Sequence, residues 1–275
     1  MGDLSTMARH LFDLDGRVAV LTGAASGLAQ AMAIGMAEYG ADVVCVDINA
    51  DGLTKTVEQI TALGRKALAV RCDVSQPDDI THLWEQVDRS FGHVEIHVNA
   101  AFAPSHARPE EISLDEWNKV MTVNSTGYFL CAQAAGQRMI RQGHGGSIIN
   151  IASIAGVTAL GRGNFVYSAS KGAVVQMTRE MAVEWAHHRI RVNAILPCQF
   201  LTPPLQALID DPRFDSDTLV NRFLVGIPMN RLGEVQDIVG PAVFLASDAA
   251  AMVTGALLPV DGGNLALNAG GTHSW

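Results

Sequence analysis

The sequence predicts an α/β fold built on a doubly wound parallel sheet, with residues 1–275 forming one domain. Three observations predict it. Strand-like and helix-like segments alternate from Arg17 to Val260. The strand-like segments are near-continuous apolar runs rich in Val and Ile, as expected for parallel strands covered on both faces. A glycine-rich turn also joins the first strand to the first helix, where such sheets hold ligands. The segments are not equal repeats, so an open sheet is expected and not a closed barrel.

In chain order the predicted strands are VAVLT (18–22), VVCVDI (43–48), ALAVRC (67–72), EIHVN (95–99), SIINIA (147–152), RVNAIL (191–196) and ALLPV (256–260). Helix-length segments lie between them, such as 27–39, which Gly40 closes. The stretch 200–229 breaks the rhythm with Pro203, Pro204, Pro212 and Pro228 set among Leu201, Leu205, Leu208, Phe214, Leu219 and Phe223. An insertion of that length between a strand and the next regular helix predicts a lid over a binding site.

Composition narrows the function. Hydrophobic residues at 48% and charged residues at 17% are globular values. A formal net charge of −9 opposes binding to nucleic acid or to an anionic membrane surface. Cys45, Cys72, Cys131 and Cys198 are scattered, with no CxxC pair and no histidine at metal-ligand spacing, so reduced thiols and no metal site are expected. No stretch reaches membrane-spanning length and the first residues lack the apolar core of a secretory signal, which makes a cytoplasmic protein the expectation. Gly2 and Thr6 fit a myristoylation pattern short enough to arise by chance.

Thr22-Gly23-Ala24-Ala25-Ser26-Gly27-Leu28-Ala29 follows the first strand and opens a helix. Glycines there let backbone N–H groups approach a pyrophosphate, whose charge is favoured at a helix N-terminus. Asp47 ends the second strand, where a carboxylate can accept from adenosine ribose hydroxyls and would repel a 2′-phosphate; NAD is therefore expected over NADP. The alternative for Asp47 is a helix cap, a task for which Asp51 looks better placed. Tyr167 and Lys171 stand four residues apart on a helix expected to begin near Val166, so they share a face. They follow Ser153, at the end of the fifth strand on the cofactor side of the sheet. For Ser153 the competing reading is a cap at the strand end.

The ordered set TGxxxGxx, Asp47, Asp73-Val74, Asn99, Asn124, Ser153, Tyr167-x-x-x-Lys171, Pro197 and VDGG resembles the short-chain dehydrogenase/reductase family across residues 14–264. The resemblance implies a Rossmann-type fold and a nicotinamide-dependent oxidoreductase. It implies that Tyr167 is the general acid/base, that Lys171 lowers its pKa and holds the nicotinamide ribose, that Ser153 binds the substrate oxygen, and that Asn124 holds a water that passes the proton on. Gly23, Ser26, Gly27, Leu28, Asp47, Asp73, Val74, Asn99, Tyr167, Lys171, Pro197 and Thr202 are the implied cofactor contacts. The physics agrees in outline: a free Tyr titrates near 10, so work near neutrality needs a shift of about three units, roughly 4 kcal/mol. A nearby ammonium and the positive nicotinamide both favour phenolate, which can accept the alcohol proton as hydride leaves for NAD.

Ala29, Phe102 and Cys198 stand where the family pattern has glycines, and Ala100 stands where it has a second Asn after Asn99. Phe102 and Cys198 are expected either to wall the pocket or to turn into the core. The interval from Ser153 to Tyr167 is one residue longer than the family spacing. LFDLDGRVAVLTGAASGLAQAMAIGMAEYGADVVCVD and DIVGPAVFLASDAA resemble the gluconate 5-dehydrogenase and 2-dehydro-3-deoxygluconate 5-dehydrogenase branch. That implies a sugar acid or polyol substrate, with Arg108, Arg162 and Arg213 as candidate carboxylate ligands. The alternatives are an apolar ketone, as in the 3-oxoacyl reductases, and a redox sensor that binds NAD without chemistry. The helix carrying Tyr167 has two apolar stripes, Ala169, Ala173, Met177 and Met181 beside Val174, Thr178, Ala182 and Trp185, and the resemblance implies that one is shared between subunits of a homotetramer.

Overall fold

The computed structural model describes residues 10–213 and 215–267; Gly2, Thr6 and Phe214 lie outside the described residues. Its seven strands are β1 Val18–Thr22, β2 Asp42–Asp47, β3 Ala67–Arg71, β4 Ile96–Asn99, β5 Gly146–Ile151, β6 Ile190–Pro197 and β7 Leu257–Val260. The helices are α1 Gly27–Glu38, α2 Ala50–Ala62, α3 Pro77–Ser90, α4 Leu114–Met121, α5 Gly127–Gln142, α6 Phe165–Trp185, α7 Pro203–Ile209, α8 Ser216–Leu224 and α9 Val239–Ala246. Every strand end lies within one residue of its predicted position. The apolar runs are what fixes them, because only fully covered strands carry such runs.

All pairings are parallel, in the order β3-β2-β1-β4-β5-β6-β7. The chain leaves β1 for β2 on one side, then returns to β4 on the other. That reversal opens a crevice above the C-terminal ends of β1 and β4. Leu21, Ile96 and Ile149 pack on one face against Met32 and Met36 of α1 and Val243 of α9. Val20, Val44 and Ile148 pack on the other against Leu83 and Trp84 of α3 and Met139 of α5. Local sequence supports the covering helices. Pro77 opens α3 with Asp78 and Asp79 in its first turn, where the helix dipole favours acids, and Gly143 closes α5 in the left-handed conformation.

The expected lid segment forms the two short helices α7 and α8, neither of which fully buries a residue. In α6 the two predicted stripes part company. Val174, Thr178 and Ala182 are buried within the chain, whereas Ala169, Ala173, Met177 and Met181 remain half-buried.

Under the crevice runs a chain of buried polar groups. His97 Nε2 lies 3.0 Å from Asn99 Oδ1, and Asn99 Nδ2 donates to the Tyr128 carbonyl and to Asn150 Oδ1. Asn150 Nδ2 then donates to Thr178 Oγ1. Burial pushes the His97 imidazole down to about 4, so it is neutral at physiological pH. These bonds tie β4, β5, α5 and α6 together directly beneath the site.

Candidate active site

A cavity of about 950 Å³ opens at the C-terminal ends of the strands. Its size suits an extended small molecule. At one end lies the turn after β1. A Cβ on Gly23 would sit 2.9 Å from the Ala101 backbone nitrogen, so only glycine lets this turn pass so close to the end of β4. Gly27 has φ +60, the left-handed conformation that glycine adopts without strain. Thr22 secures the approach: its Oγ1 accepts from the Ala100 N–H at 3.0 Å. Ser26 caps α1 without a side-chain bond, and the first turn of α1 has no acidic residue. The N–H groups of this helix end are thus left to an anion, and the cradle fits a dinucleotide's pyrophosphate.

Asp47 stands beside this turn. Its Oδ2 accepts from Ala25 N at 3.2 Å and its Oδ1 from Asn49 N at 2.9 Å. The cap of α2 is neither Asp47 nor Asp51 but Asn49, whose side chain accepts from Gly52 N; Asp51 lies in the first turn. Asp47 is thereby held facing the cavity it lines. Asp73 and Val74, after β3, line the same end, with Asp73 Oδ1 fixing the turn through Ser75 N at 2.9 Å.

At the other end the cavity is lined by Ser153, Tyr167 and Lys171, together with Pro197 at the end of β6 and Thr202 before α7. Ser153 does cap, as its competing reading held: its Oγ accepts from Ala155 N at 3.1 Å. Its side chain also faces that of Tyr167, an interaction that favours the phenolate. The extra residue between Ser153 and Tyr167 therefore does not separate them.

Electrostatics differ from expectation. Burial raises the Tyr167 phenol above its usual value of 10, and the Ser153 bond only partly opposes this. Lys171 is itself buried and pushed down to about 7, so its charge beside Tyr167 is only partial near neutrality. Its Nζ donates to the Ile151 carbonyl at 2.7 Å and to Tyr128 Oη at 3.1 Å, and lies 5.8 Å from the centre of the Tyr167 ring. In this arrangement the protein's own charges do not bring Tyr167 toward neutrality.

Two implied residues are placed elsewhere. Asn99 is not among the residues that line the cavity, and its side-chain amide is engaged with His97, Tyr128 and Asn150. Asn124 is fully buried in a π-helical turn, Thr122–Thr126, between α4 and α5. Its Oδ1 accepts from Ala103 N at 2.7 Å, and its Nδ2 donates to Ala103 O and Ser170 Oγ. Such π turns free carbonyls and recur at functional sites.

Phe102 and Cys198 both line the cavity, and Phe102 is about half exposed at 53%, so neither has turned into the core. Ala29 is buried at the cavity floor. None of the three candidate arginines lines the cavity. Arg213 pairs with Asp211, and Arg162 lies over the Phe223 ring, 5.8 Å from its centre. Two residues the sequence did not single out belong to the site region: Gln199, which lines the cavity, and Tyr128, which meets Lys171. A signal for Tyr128 existed: it is one of three tyrosines and follows Asn124 by four residues, on the helix that continues the π turn.

A glycine cradle at the reversal point of a parallel sheet, with a Ser, Tyr and Lys at the far end of one cavity, defines a nucleotide-dependent oxidoreductase. The family model for enoyl-(acyl carrier protein) reductase matches residues 23–264. The 2-dehydro-3-deoxy-D-gluconate 5-dehydrogenase of Escherichia coli (strain K12) is 42% identical over 260 residues, covering 94% of this chain and 100% of that protein. The D-threitol dehydrogenase of Mycolicibacterium smegmatis (strain ATCC 700084 / mc(2)155) is 39% identical, covering 92% and 94%. The crystal structure of a short-chain type dehydrogenase/reductase from Mycobacterium marinum superposes with a TM-score of 0.84 at 35% identity, covering 92% and 97%. The chain belongs to the short-chain dehydrogenase/reductase family, as the order of its motifs implied, and it is an oxidoreductase of CH–OH groups. Among the described residues no helix is long and apolar enough to cross a membrane.

Proposed function

We propose that the protein is an NAD-dependent dehydrogenase that interconverts a secondary alcohol of a sugar acid or polyol with its ketone. The observation that carries this reading is the single cavity that joins the Gly23–Gly27 cradle and Asp47 to Ser153, Tyr167 and Lys171. Gly23, Ser26, Gly27 and Leu28 would hold the pyrophosphate, and Asp47 the adenosine ribose. Asp73 and Val74 would flank the base, with Pro197 and Thr202 beside the nicotinamide. Bound there, the nicotinamide supplies the acceptor or donor of a hydride and a positive charge when oxidised. Ser153 would hold the substrate oxygen against Tyr167, whose phenolate would take the proton in oxidation and whose hydroxyl would return it in reduction. Lys171 would hold the nicotinamide ribose, and Asn124 would fix the Ala103 loop and offer a main-chain carbonyl to a relay water. Asn99 acts from beneath, by fixing the end of β4.

A hydroxyl-rich substrate is supported by the two relatives whose names specify a sugar acid and a tetritol. The same relatives do not favour the acyl alternative. The half-buried stripe Ala169, Ala173, Met177 and Met181 supports a homotetramer, for which light scattering should give four chain masses. Four free cysteines, three of them buried, support a reducing, cytoplasmic setting.

The experiment is kcat/KM with NAD and NADP over a panel of sugar acids, polyols and apolar ketones. NAD is expected to exceed NADP at least tenfold, with the best substrate among the polyhydroxylated compounds. Asp47→Ala should narrow the cofactor ratio by about 10- to 100-fold, the value of one charge-assisted contact plus a relieved repulsion. A wild-type enzyme that prefers NADP overturns the reading of Asp47.

A further inference from the structure

Tyr128 has no part in the function proposed above, yet its hydroxyl is one of two groups that Lys171 touches. It projects from the first turn of α5, fully buried, and its ring centre lies 4.7 Å from Lys171 Nζ. Its Oη accepts from Nζ at 3.1 Å and donates to the Ile151 carbonyl at 3.1 Å, while Nζ donates to that carbonyl at 2.7 Å. The three groups form a closed triangle among α5, α6 and the end of β5.

We propose that Tyr128 is a positioning residue for Lys171, its hydroxyl holding the ammonium group at the cavity wall. An ammonium has three donors and no acceptor. Two are taken by Ile151 and Tyr128, so the third is left for the cavity that Lys171 lines. Without the hydroxyl a second N–H loses its partner, and the head group can turn away from Tyr167. The bond also favours the charged state, since hydrogen bonds to an ammonium are about twice as strong as neutral ones. The titratable groups facing Lys171 are Tyr128 from α5 and Tyr167 from α6, with Cys131 behind Tyr128; no carboxylate contributes to the lysine's depressed pKa, which burial causes. A neutral hydroxyl is therefore the only side chain in place to support that ammonium among the described residues.

The inference rests on Tyr167 and Lys171 acting as proposed, and the experiment separates the two. Tyr128→Phe keeps the ring and removes one atom. In the oxidation direction its kcat should fall about 3- to 10-fold at pH 7 and recover at high pH. The acid limb should move up by about half to one pH unit, because less ammonium leaves Tyr167 harder to ionise. A folded Tyr128→Phe enzyme with an unmoved limb overturns the proposal, whether its rate is unchanged or lowered equally at every pH, the mark of a merely structural role. If Tyr128→Phe does not fold, 3-fluorotyrosine at position 128, a weaker acceptor of nearly the same size, should shift the limb in the same direction; no shift overturns it equally. Tyr167→Phe measured alongside tells the failures apart: if that variant is inactive while the limb stays put, only the role of Tyr128 falls.

Discussion

Replacing Tyr167 by Phe is expected to lower kcat by about 10²- to 10⁴-fold, the range of general acid/base catalysis, while NAD affinity changes less than about threefold. The reason is local. The lost atom is the hydroxyl that interacts with the Ser153 side chain. The ring remains on α6, and the groups at the other end of the cavity, Gly23, Gly27 and Asp47, are untouched. In the terms of mutant kinetics, an interaction needed mainly in the transition state is removed, so kcat and kcat/KM fall together. Steady-state rates and calorimetric NAD titration check it. Retention of more than a few per cent of activity would mean that the proton moves by another route.

Lys171→Met is expected to separate activity from stability. Activity should fall by at least about 10²-fold, because the charge beside Tyr167 and the ribose contact disappear together. Stability should rise. A lysine amine titrates near 10.4 in an unfolded chain, whereas burial pushes Lys171 down to about 7. Below pH 7 the folded protein carries the buried ammonium and bears the whole cost of burying it. Between about 7 and 10 the unfolded state binds a proton that the folded state does not, so stability rises with pH and the cost fades; above that range it is gone. Methionine keeps the volume and removes this cost, although it forfeits the bonds to Ile151 and Tyr128. A net gain of about 1–3 kcal/mol at pH 6 is expected, shrinking toward pH 10. Urea midpoints at pH 6, 8 and 10 measure it. A variant less stable than wild type at pH 6 would show that the buried amine is better compensated than its surroundings indicate.

The electrostatic result bears on how the site works. The sequence supports Lys171 as the group that lowers the Tyr167 pKa, yet in the structure burial depresses the lysine and raises the tyrosine. On the proposed function, the bound, oxidised nicotinamide supplies the further charge that brings the phenol within range, together with Lys171 to the extent that the Tyr128 hydroxyl keeps it protonated. This gives Tyr128 its interest.

What could be read from the sequence divides by how far a residue reaches. Strand positions were legible because full coverage leaves an apolar run, as in residues 18–21 and 43–46. Tyr167 and Lys171 were legible because four residues on a helix fix a shared face. Contacts between distant elements were not. Tyr128 meets Lys171 across 43 residues of chain, and nothing in the order of residues says that α5 and α6 touch there. Asn99 sits at the right strand end, but its side chain turns down toward Asn150. Arg108, Arg162 and Arg213 sit in loops, where no periodicity fixes direction, and their guanidinium groups lie away from the cavity.

The most direct test of hydride transfer between a carbinol carbon and a nicotinamide uses an isotope. The most active sugar acid or polyol of the panel, deuterated at the carbon bearing the reacting hydroxyl, is incubated with the enzyme and NAD+, and the products are read by NMR. Deuterium should appear at C4 of the reduced nicotinamide, on one face only, with a ketone formed in equal amount. Deuterium released to water, or a ketone formed without a deuterated nicotinamide, would contradict the assignment of Ser153, Tyr167 and Lys171 to a dehydrogenase site.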